Sequence, residues 1–319
     1  MRTHLIDAAG HRDLELDRNG LEALRAGTGF YWLDLHGESD DGVELVGEVY
    51  GFHPLAIEDA VHFGQRPKAE EYDGYVFLVL YGAAPDADGL VEVHCFYSER
   101  YLITVRRDHC PAFAEARERQ TRRPQGMTDP IAVLHRVVDG LVDSFFPMLA
   151  GFDELIDALE DAIAVRPDDD QLRRISHLKR RLVSLRRVIA PQRDLAASIA
   201  SGLIELPGTN LEAQRSFRDV YDHTIRLTDQ LDSYRDLVTG VMDIYLSTVS
   251  NRLNSVMKAL TLIATIFLPL TFVSGFFGQN FGWMVRAVGG AVPFWVLGVG
   301  LQLGIVVALL ALFRRRGWL

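Results

Sequence analysis

The chain has 319 residues, with 33 Lys and Arg against 43 Asp and Glu, and a formal net charge of −10. Residues 244–319 hold no acid and six of the basic residues, Arg252, Lys258, Arg286, Arg314, Arg315 and Arg316, which leaves residues 1–243 with 27 basic against 43 acidic side chains, a balance of −16. A body this acidic repels nucleic acid and concentrates cations, and it is long enough to own a hydrophobic core. Met1-Arg2-Thr3-His4-Leu5-Ile6-Asp7 lacks an apolar stretch of signal-peptide length. The two cysteines, Cys95 and Cys110, lack metal-binding spacing, which fits packing residues in a reducing compartment.

Residues 1–125 are expected to form an α/β domain facing the cytoplasm. Four runs rich in aromatic and β-branched residues read as strands: Phe30–Leu35, Tyr75–Tyr81, Val91–Tyr97 and Tyr101–Val105. Gly82 to Gly89 reads as a turn between two of them. Asp40 to His62 reads as helical with a break at His53-Pro54, where proline suits a first helical turn. The region before about residue 50 carries no specific motif.

Residues 126–205 are expected to form a helical hairpin. One helix covers roughly 129–165, kinked at Pro147, and a second runs from Asp168-Asp169-Asp170 to about Ser201. The first is acidic late, at Asp153, Glu154, Asp157, Glu160 and Asp161. The second is basic, at Arg173, Arg174, Lys179, Arg180, Arg181, Arg186 and Arg187, so the two are expected to pair by charge. Pro207-Gly208-Thr209-Asn210 then breaks the chain and caps a stalk helix over 206–257. Apolar or small residues recur every three or four positions along it: Phe217, Tyr221, Thr224, Leu231, Tyr234, Val238, Val241, Tyr245 and Thr248. Continued into the apolar run that follows, this helix reaches about 68 residues, or about 100 Å.

Two apolar runs close the chain, Ala259–Phe277 and about Val292–Phe313, each roughly the 20 residues that a helix needs to cross a bilayer core. They place a first span at 258–278, an outer loop at 279–291, a second span at 292–313 and a basic tail at 314–319. Arg252, Lys258 and the Arg314–Arg316 cluster flank the hairpin, with only Arg286 between the spans. The positive-inside rule therefore puts both ends in the cytoplasm and the loop outside. On the first span Asn254, Met257, Thr261, Ala264, Leu268, Thr271, Gly275 and Gly278 share one small or mildly polar face, which serves either close helix packing or the lining of a pore. Two spans cannot enclose a path, so a pore requires several copies. Asn280 would then form a ring of amide oxygens beside the Gly278 and Gln279 carbonyls, suited to a Mg²⁺ ion that keeps its water shell. An Asn after Gly also serves simply as a left-handed turn residue.

The combination of Val256-Met257-Lys258-x-Leu260-Thr261-x-Ile263-Ala264-Thr265-Ile266-Phe267-x-Pro269-Leu270-Thr271-Phe272, Phe277-Gly278-Gln279-Asn280-Phe281 and a basic terminus ending Trp318-Leu319 resembles the CorA family of divalent-metal transporters. The likeness extends upstream to His53-Pro54-Leu55-x-Ile57-Glu58-Asp59, Gln65-Arg66-Pro67-Lys68 and Phe217-Arg218-Asp219-Val220-Tyr221-Asp222-His223-Thr224. It implies an α+β/α membrane protein that assembles as a homopentamer in the cell's inner (plasma) membrane. Its partners are copies of itself, membrane lipid and divalent ions, with no nucleic acid. The divalent cation is both substrate and regulator, and no organic cofactor is implied. By the same resemblance Asn254, Met257, Leu260, Ala264, Leu268 and Thr271 line the pore and Gly278-Gln279-Asn280 forms the ion-selective mouth. Asp59 and Asp219, with Glu58, Asp139 and His223 nearby, bind regulatory ions between neighbouring subunits.

Two departures from the family pattern bear on the ion. The family signature is Gly-Met-Asn, and Gln279 stands in its middle place. Acids common in the outer loop of Mg²⁺-carrying members are missing, and Arg286 stands there instead. Mg²⁺, with Co²⁺ and Ni²⁺ as further candidates, is the leading substrate. The alternatives are a Zn²⁺ transporter of the ZntB type or a poorly conducting metal sensor. No phosphate loop, HExxH or nucleophile motif points to an enzyme, and His94, His135 and His177 read as packing or surface residues.

Overall fold

The computed structural model describes residues 2–37, 40–84, 89–122, 127 and 129–318. Part of the turn expected between Gly82 and Gly89, the boundary expected at 125/126, and Leu319 of the basic tail lie outside the described residues. The chain divides into two units, Met1–Ala162 with Asp168–Met242, and Ile163–Pro167 with Asp243–Leu319.

The first unit is built on a seven-stranded mixed sheet. Its strands are β1 (Arg2–Asp7), β2 (Gly10–Asp13), β3 (Tyr31–His36), β4 (Lys68–Tyr72), β5 (Tyr75–Ala83), β6 (Leu90–Tyr97) and β7 (Tyr101–Arg106), in the order β2-β1-β3-β7-β6-β5-β4. Only β3 and β7 pair in parallel; every other neighbour is antiparallel. The four strands legible from aromatic and β-branched runs are the central ones, and β5 is buried along its whole length. The three that the sequence pattern did not announce lie at the two ends of the sheet. β2 (Gly-His-Arg-Asp) and β4 (Lys-Ala-Glu-Glu-Tyr) are edges with no apolar face to bury, so periodicity cannot mark them. The Asp73-Gly74 turn that closes β4 onto β5, with Gly74 at φ +83°, was the available signal.

The centre of the sheet holds one buried charge network. Asp34 on β3 is fully buried and directly opposes Thr104 on β7. Arg106 grips it with two bonds, Nη2 to Oδ2 at 2.9 Å and Nε to Oδ1 at 3.2 Å. Thr104 Oγ1 donates to the same carboxylate at 3.0 Å and accepts from Trp32 Nε1 at 3.0 Å. Arg117 reaches it from α4 (Pro111–Arg122) at 3.4 Å.

Eight helices and the sheet account for this unit's core among the described residues. After α1 (Arg18–Ala26), the break expected at His53-Pro54 separates α2 (Asp40–Tyr50) from α3 (Pro54–Val61), with the His53 ring capping α3 through the Leu55 N–H. The helix expected over 129–165 is two, α5 (Pro130–Asp143) and α6 (Phe145–Val165). The break falls at Ser144, three residues before Pro147, whose ring would meet the carbonyl of Asp143 in an unbroken helix. Ser144 Oγ accepts from Ala83 N at 2.7 Å, which fixes the break against the end of β5. Then comes α7 (Asp169–Ala200), opened by a full capping box at Asp168 and Gln171. Its interior Pro191 precedes Gln192, whose buried amide bonds the Tyr81 N–H and C=O at 2.8 and 3.1 Å. β4 ends its pairing at Val79, so this side chain completes the β5 ladder where strand partners run out. Arg173 and Arg174 bind Asp170 on their own helix, and Arg181 stacks on the Phe152 ring at 4.5 Å.

Helix α8 runs from Leu211 to Phe277 as 67 residues, matching the expected stalk fused to a span. Its buried positions Phe217, Thr224, Leu231, Val238 and Val241 fall on the expected stripe. In the second unit α8 is followed by a short helix α9 (Gly282–Val288) and by α10 (Ala291–Arg315), whose Phe294–Gly300 stretch is π-helical. Both α8 and α10 contain segments long and apolar enough to cross a membrane. Large apolar side chains point outward along them, among them Leu268 at 76 % exposure and Phe272 at 73 %. An apolar surface of this extent is not a water-facing one.

Candidate functional site

The expected site residues fall in three places, the membrane pair of the second unit and two separate clusters in the first. In the membrane pair, α10 runs antiparallel beside α8. Gln302 Nε2 donates to Ser274 Oγ at 2.8 Å towards one end, and Lys258 Nζ to the Gly317 carbonyl at 3.5 Å towards the other. The half-buried side of α8 carries Leu262, Thr265, Ile266, Pro269 and Val273. Asn254, Met257, Leu260, Ala264, Leu268 and Thr271 are all exposed and, at about 100° per residue, all but Asn254 fall on the opposite side of the helix, with Asn254 at its flank. The small stripe is therefore not what the second span packs against within one chain. Thr261 and Thr271 return their hydroxyls to carbonyls one turn back, at 2.8 Å each.

The mouth begins where α8 ends. Gly278 N donates to the Ser274 carbonyl at 2.9 Å, and a Cβ at position 278 would itself lie 2.9 Å from that oxygen, so glycine is required to close the helix. Gln279 N follows with a bond to Phe276 O at 3.3 Å. Asn280 is exposed, and among the described residues no residue other than glycine has positive φ. A left-handed turn thus does not account for the asparagine. The loop expected after it is partly helical, because α9 forms there. Arg286 Nε bonds the Gly282 carbonyl of its own helix at 3.1 Å, and the side chain remains exposed.

In the first unit, α5 and α8 each contribute two residues one turn apart, Asp139 with Asp143 and Asp219 with His223. His223 Nδ1 lies 2.9 Å from Asp143 Oδ1 and 3.9 Å from Asp139 Oδ1, and Nε2 lies 3.8 Å from Asp219 Oδ2. Asp139, Asp143 and His223 place one ligand atom each close enough to hold a single ion. Burial, reinforced by the like charge of Asp143, holds the Asp139 carboxyl above the usual carboxylate range. Asp143 escaped the sequence reading; its signal was the i, i+4 spacing from Asp139 on one helix face.

The structure sets Glu58 and Asp59 in a separate cluster on α3. Lys68 Nζ binds Asp59 Oδ2 at 2.5 Å and Glu70 Oε1 at 2.6 Å. These hydrogen bonds outweigh the burial that opposes charging, so the lysine is held above its ordinary value and Glu70 below its own. Glu58 is exposed. His94, by contrast, is buried and structural, 2.8 Å from Glu92 and 3.2 Å from the Ala60 carbonyl.

Two outward-apolar helices joined to a polar α/β body define a membrane protein. The sequence pattern of the family described as "CorA-like Mg2+ transporter protein" matches residues 27–315, and the chain belongs to that family. It is similar to the "Cobalt/magnesium transport protein CorA" of Thermotoga maritima, 37 % identical over 303 residues, covering 90 % of this chain and 83 % of that protein. It is also similar to the "Zinc transport protein ZntB" of Pectobacterium carotovorum, at 28 % identity over 73 % of this chain and 69 % of that one. The complete structure of the CorA magnesium transporter from Methanocaldococcus jannaschii matches the fold with a TM-score of 0.82 at 20 % identity, covering 100 % of this chain and 99 % of the other.

Proposed function

We propose that the chain assembles as a homopentamer in which Asn254, Met257, Leu260, Ala264, Leu268 and Thr271 line a path for hydrated Mg²⁺, with Co²⁺ and Ni²⁺ as further substrates. Gly278, Gln279 and Asn280 form its mouth, and both termini face the cytoplasm. The observation that carries this reading is the exposed stripe on α8, opposite the side that α10 covers. Five copies turn that stripe inward and let one pore replace five unpartnered faces. Zn²⁺ is the competing substrate, favoured by the resemblance to ZntB and by Gln279 and Arg286 at the mouth.

Cysteine accessibility tests the lining. Both native thiols, Cys95 and Cys110, are buried and pushed up by burial, so they give a low background. In reconstituted protein, Leu268→Cys and Thr271→Cys should react with a charged thiol reagent and block ion flux, while Ile263→Cys and Phe276→Cys, off the stripe, should not. Equal labelling of all four positions would remove the pore assignment.

Regulation follows from the carboxylates. A second copy would bring Asp59 and Glu58 of one subunit towards Asp219, Asp139 and His223 of the next, where a divalent ion relieves their repulsion and holds the ring closed. Asp219→Lys supplies a fixed cation there, so raising Mg²⁺ on the side of the polar body should no longer suppress uptake. The ion requires ionised Asp139. Because this carboxyl protonates above the ordinary range, metal protection should weaken on acidification earlier than ordinary aspartates would cause. Without metal the sign is opposite for stability: the contribution of Asp139 is present in acid and lost as pH rises through its raised folded pKa. Melting temperatures with and without Mg²⁺ across pH separate the two effects.

A further inference from the structure

Strands β1 and β2 form an edge hairpin that lies before the stretch matching the family, which begins at residue 27. His4 stands directly opposite Asp13 across this hairpin, and His11 opposes Ile6, so His4, His11 and Asp13 project from the same face. Their ligand atoms converge. His4 Nδ1 lies 2.6 Å from Asp13 Oδ1, His11 Nε2 lies 3.3 Å from His4 Nδ1, and His11 Nε2 lies 3.8 Å from Asp13 Oδ1. In a tetrahedral centre with metal–ligand bonds near 2.0–2.2 Å, neighbouring ligand atoms are separated by about 3.3–3.5 Å. The three ligand atoms lie within 4.8 Å of one another, and the 2.6 Å His4–Asp13 contact is a hydrogen bond that an entering ion would open to that spacing. His4 is 17 % exposed, His11 36 % and Asp13 81 %, so the open side admits solvent as a further ligand. The nearby Arg117 of α4 is engaged with buried Asp34, which offsets its charge.

We propose that His4, His11 and Asp13 bind one first-row transition dication of the Zn²⁺ class per chain, tying β1 to β2 at the edge of the sheet. Two imidazoles and one carboxylate suit Zn²⁺, Co²⁺ or Ni²⁺, whereas Mg²⁺ demands an oxygen octahedron. The site is chemically distinct from the carboxylate-rich cluster of Asp139, Asp143 and His223, and it stands whether or not the chain conducts ions.

The test is calorimetric titration of chelator-stripped, full-length protein in detergent with Zn²⁺, in excess Mg²⁺ to occupy oxygen-rich sites. Wild type should take up one Zn²⁺ per chain more than the His4→Ala/His11→Ala double variant. Asp13→Asn, at an exposed position, should weaken that binding at least about tenfold. Co²⁺ bound at the site should give the strong visible absorption of a low-coordinate centre, and this band should disappear in the double variant. If the double variant fails to fold, His11→Gln and Asp13→Asn decide the matter, since each leaves two of the three ligands. Unchanged Zn²⁺ stoichiometry and affinity in these variants, or full displacement by Mg²⁺, would overturn the proposal.

Discussion

Asn280→Ala should reduce Mg²⁺ uptake to the background of protein-free vesicles while leaving the melting temperature unchanged. The asparagine is exposed immediately beyond the end of α8 and does not occupy a left-handed turn, so its amide is available to the ion rather than committed to the fold. In the proposed pentamer each amide accepting a hydrogen bond from the ion's water shell would contribute about 1 kcal/mol, so a ring of five would amount to about 5 kcal/mol, or roughly several thousand-fold in occupancy of the mouth. Gln279→Met provides the contrast. It keeps the ring of asparagines and should preserve uptake while altering the preference among ions. Normal Mg²⁺ flux through Asn280→Ala would remove the mouth from the mechanism.

Asp34→Ala should lower stability by about 3–5 kcal/mol, the largest folding effect expected of any single change in the polar body. The carboxylate is fully buried and neutralises Arg106, itself only 1 % exposed, while also receiving Arg117 and the Thr104 hydroxyl. Its removal leaves the buried Arg106 without its counter-charge in the centre of the sheet and takes one acceptor from Arg117. Chemical denaturation of residues in this unit would show the loss as a shifted midpoint. The double change Asp34→Leu with Arg106→Met should recover most of it, because an apolar pair of similar volume carries no unpaired charge. If the single variant melted like wild type, the network would not be structural as argued.

Much of this architecture was legible because it rests on burial. Central strands such as Tyr75–Ala83 and the stripe on α8 must present apolar side chains at fixed periods, and the spans must be apolar throughout. What escaped the sequence reading was held by other means. The edge strands β2 and β4 are specified by pairing and by turns such as Asp73-Gly74, not by an apolar face. Gln192 completing the β5 ladder is a contact between residues 111 positions apart, which no local pattern encodes. The cluster at Asp139 was half visible. Asp139, Asp219 and His223 stood out through the resemblance, whereas Asp143 joins them only because α5 packs against α8. The Lys68 clamp on Asp59 is likewise tertiary, and it means that an ion reaching Asp59 must first loosen a short ion pair.

This chain carries a divalent cation across a membrane, and we propose that Mg²⁺ stands ahead of Zn²⁺ as its substrate. Uptake by wild-type protein in proteoliposomes, followed with a Mg²⁺-sensitive and a Zn²⁺-sensitive dye in parallel, tests it most directly. Rapid Mg²⁺ influx that exceeds Zn²⁺ influx is the result expected here. Zn²⁺ influx alone would contradict the Mg²⁺ assignment, and influx of neither ion would contradict transport itself.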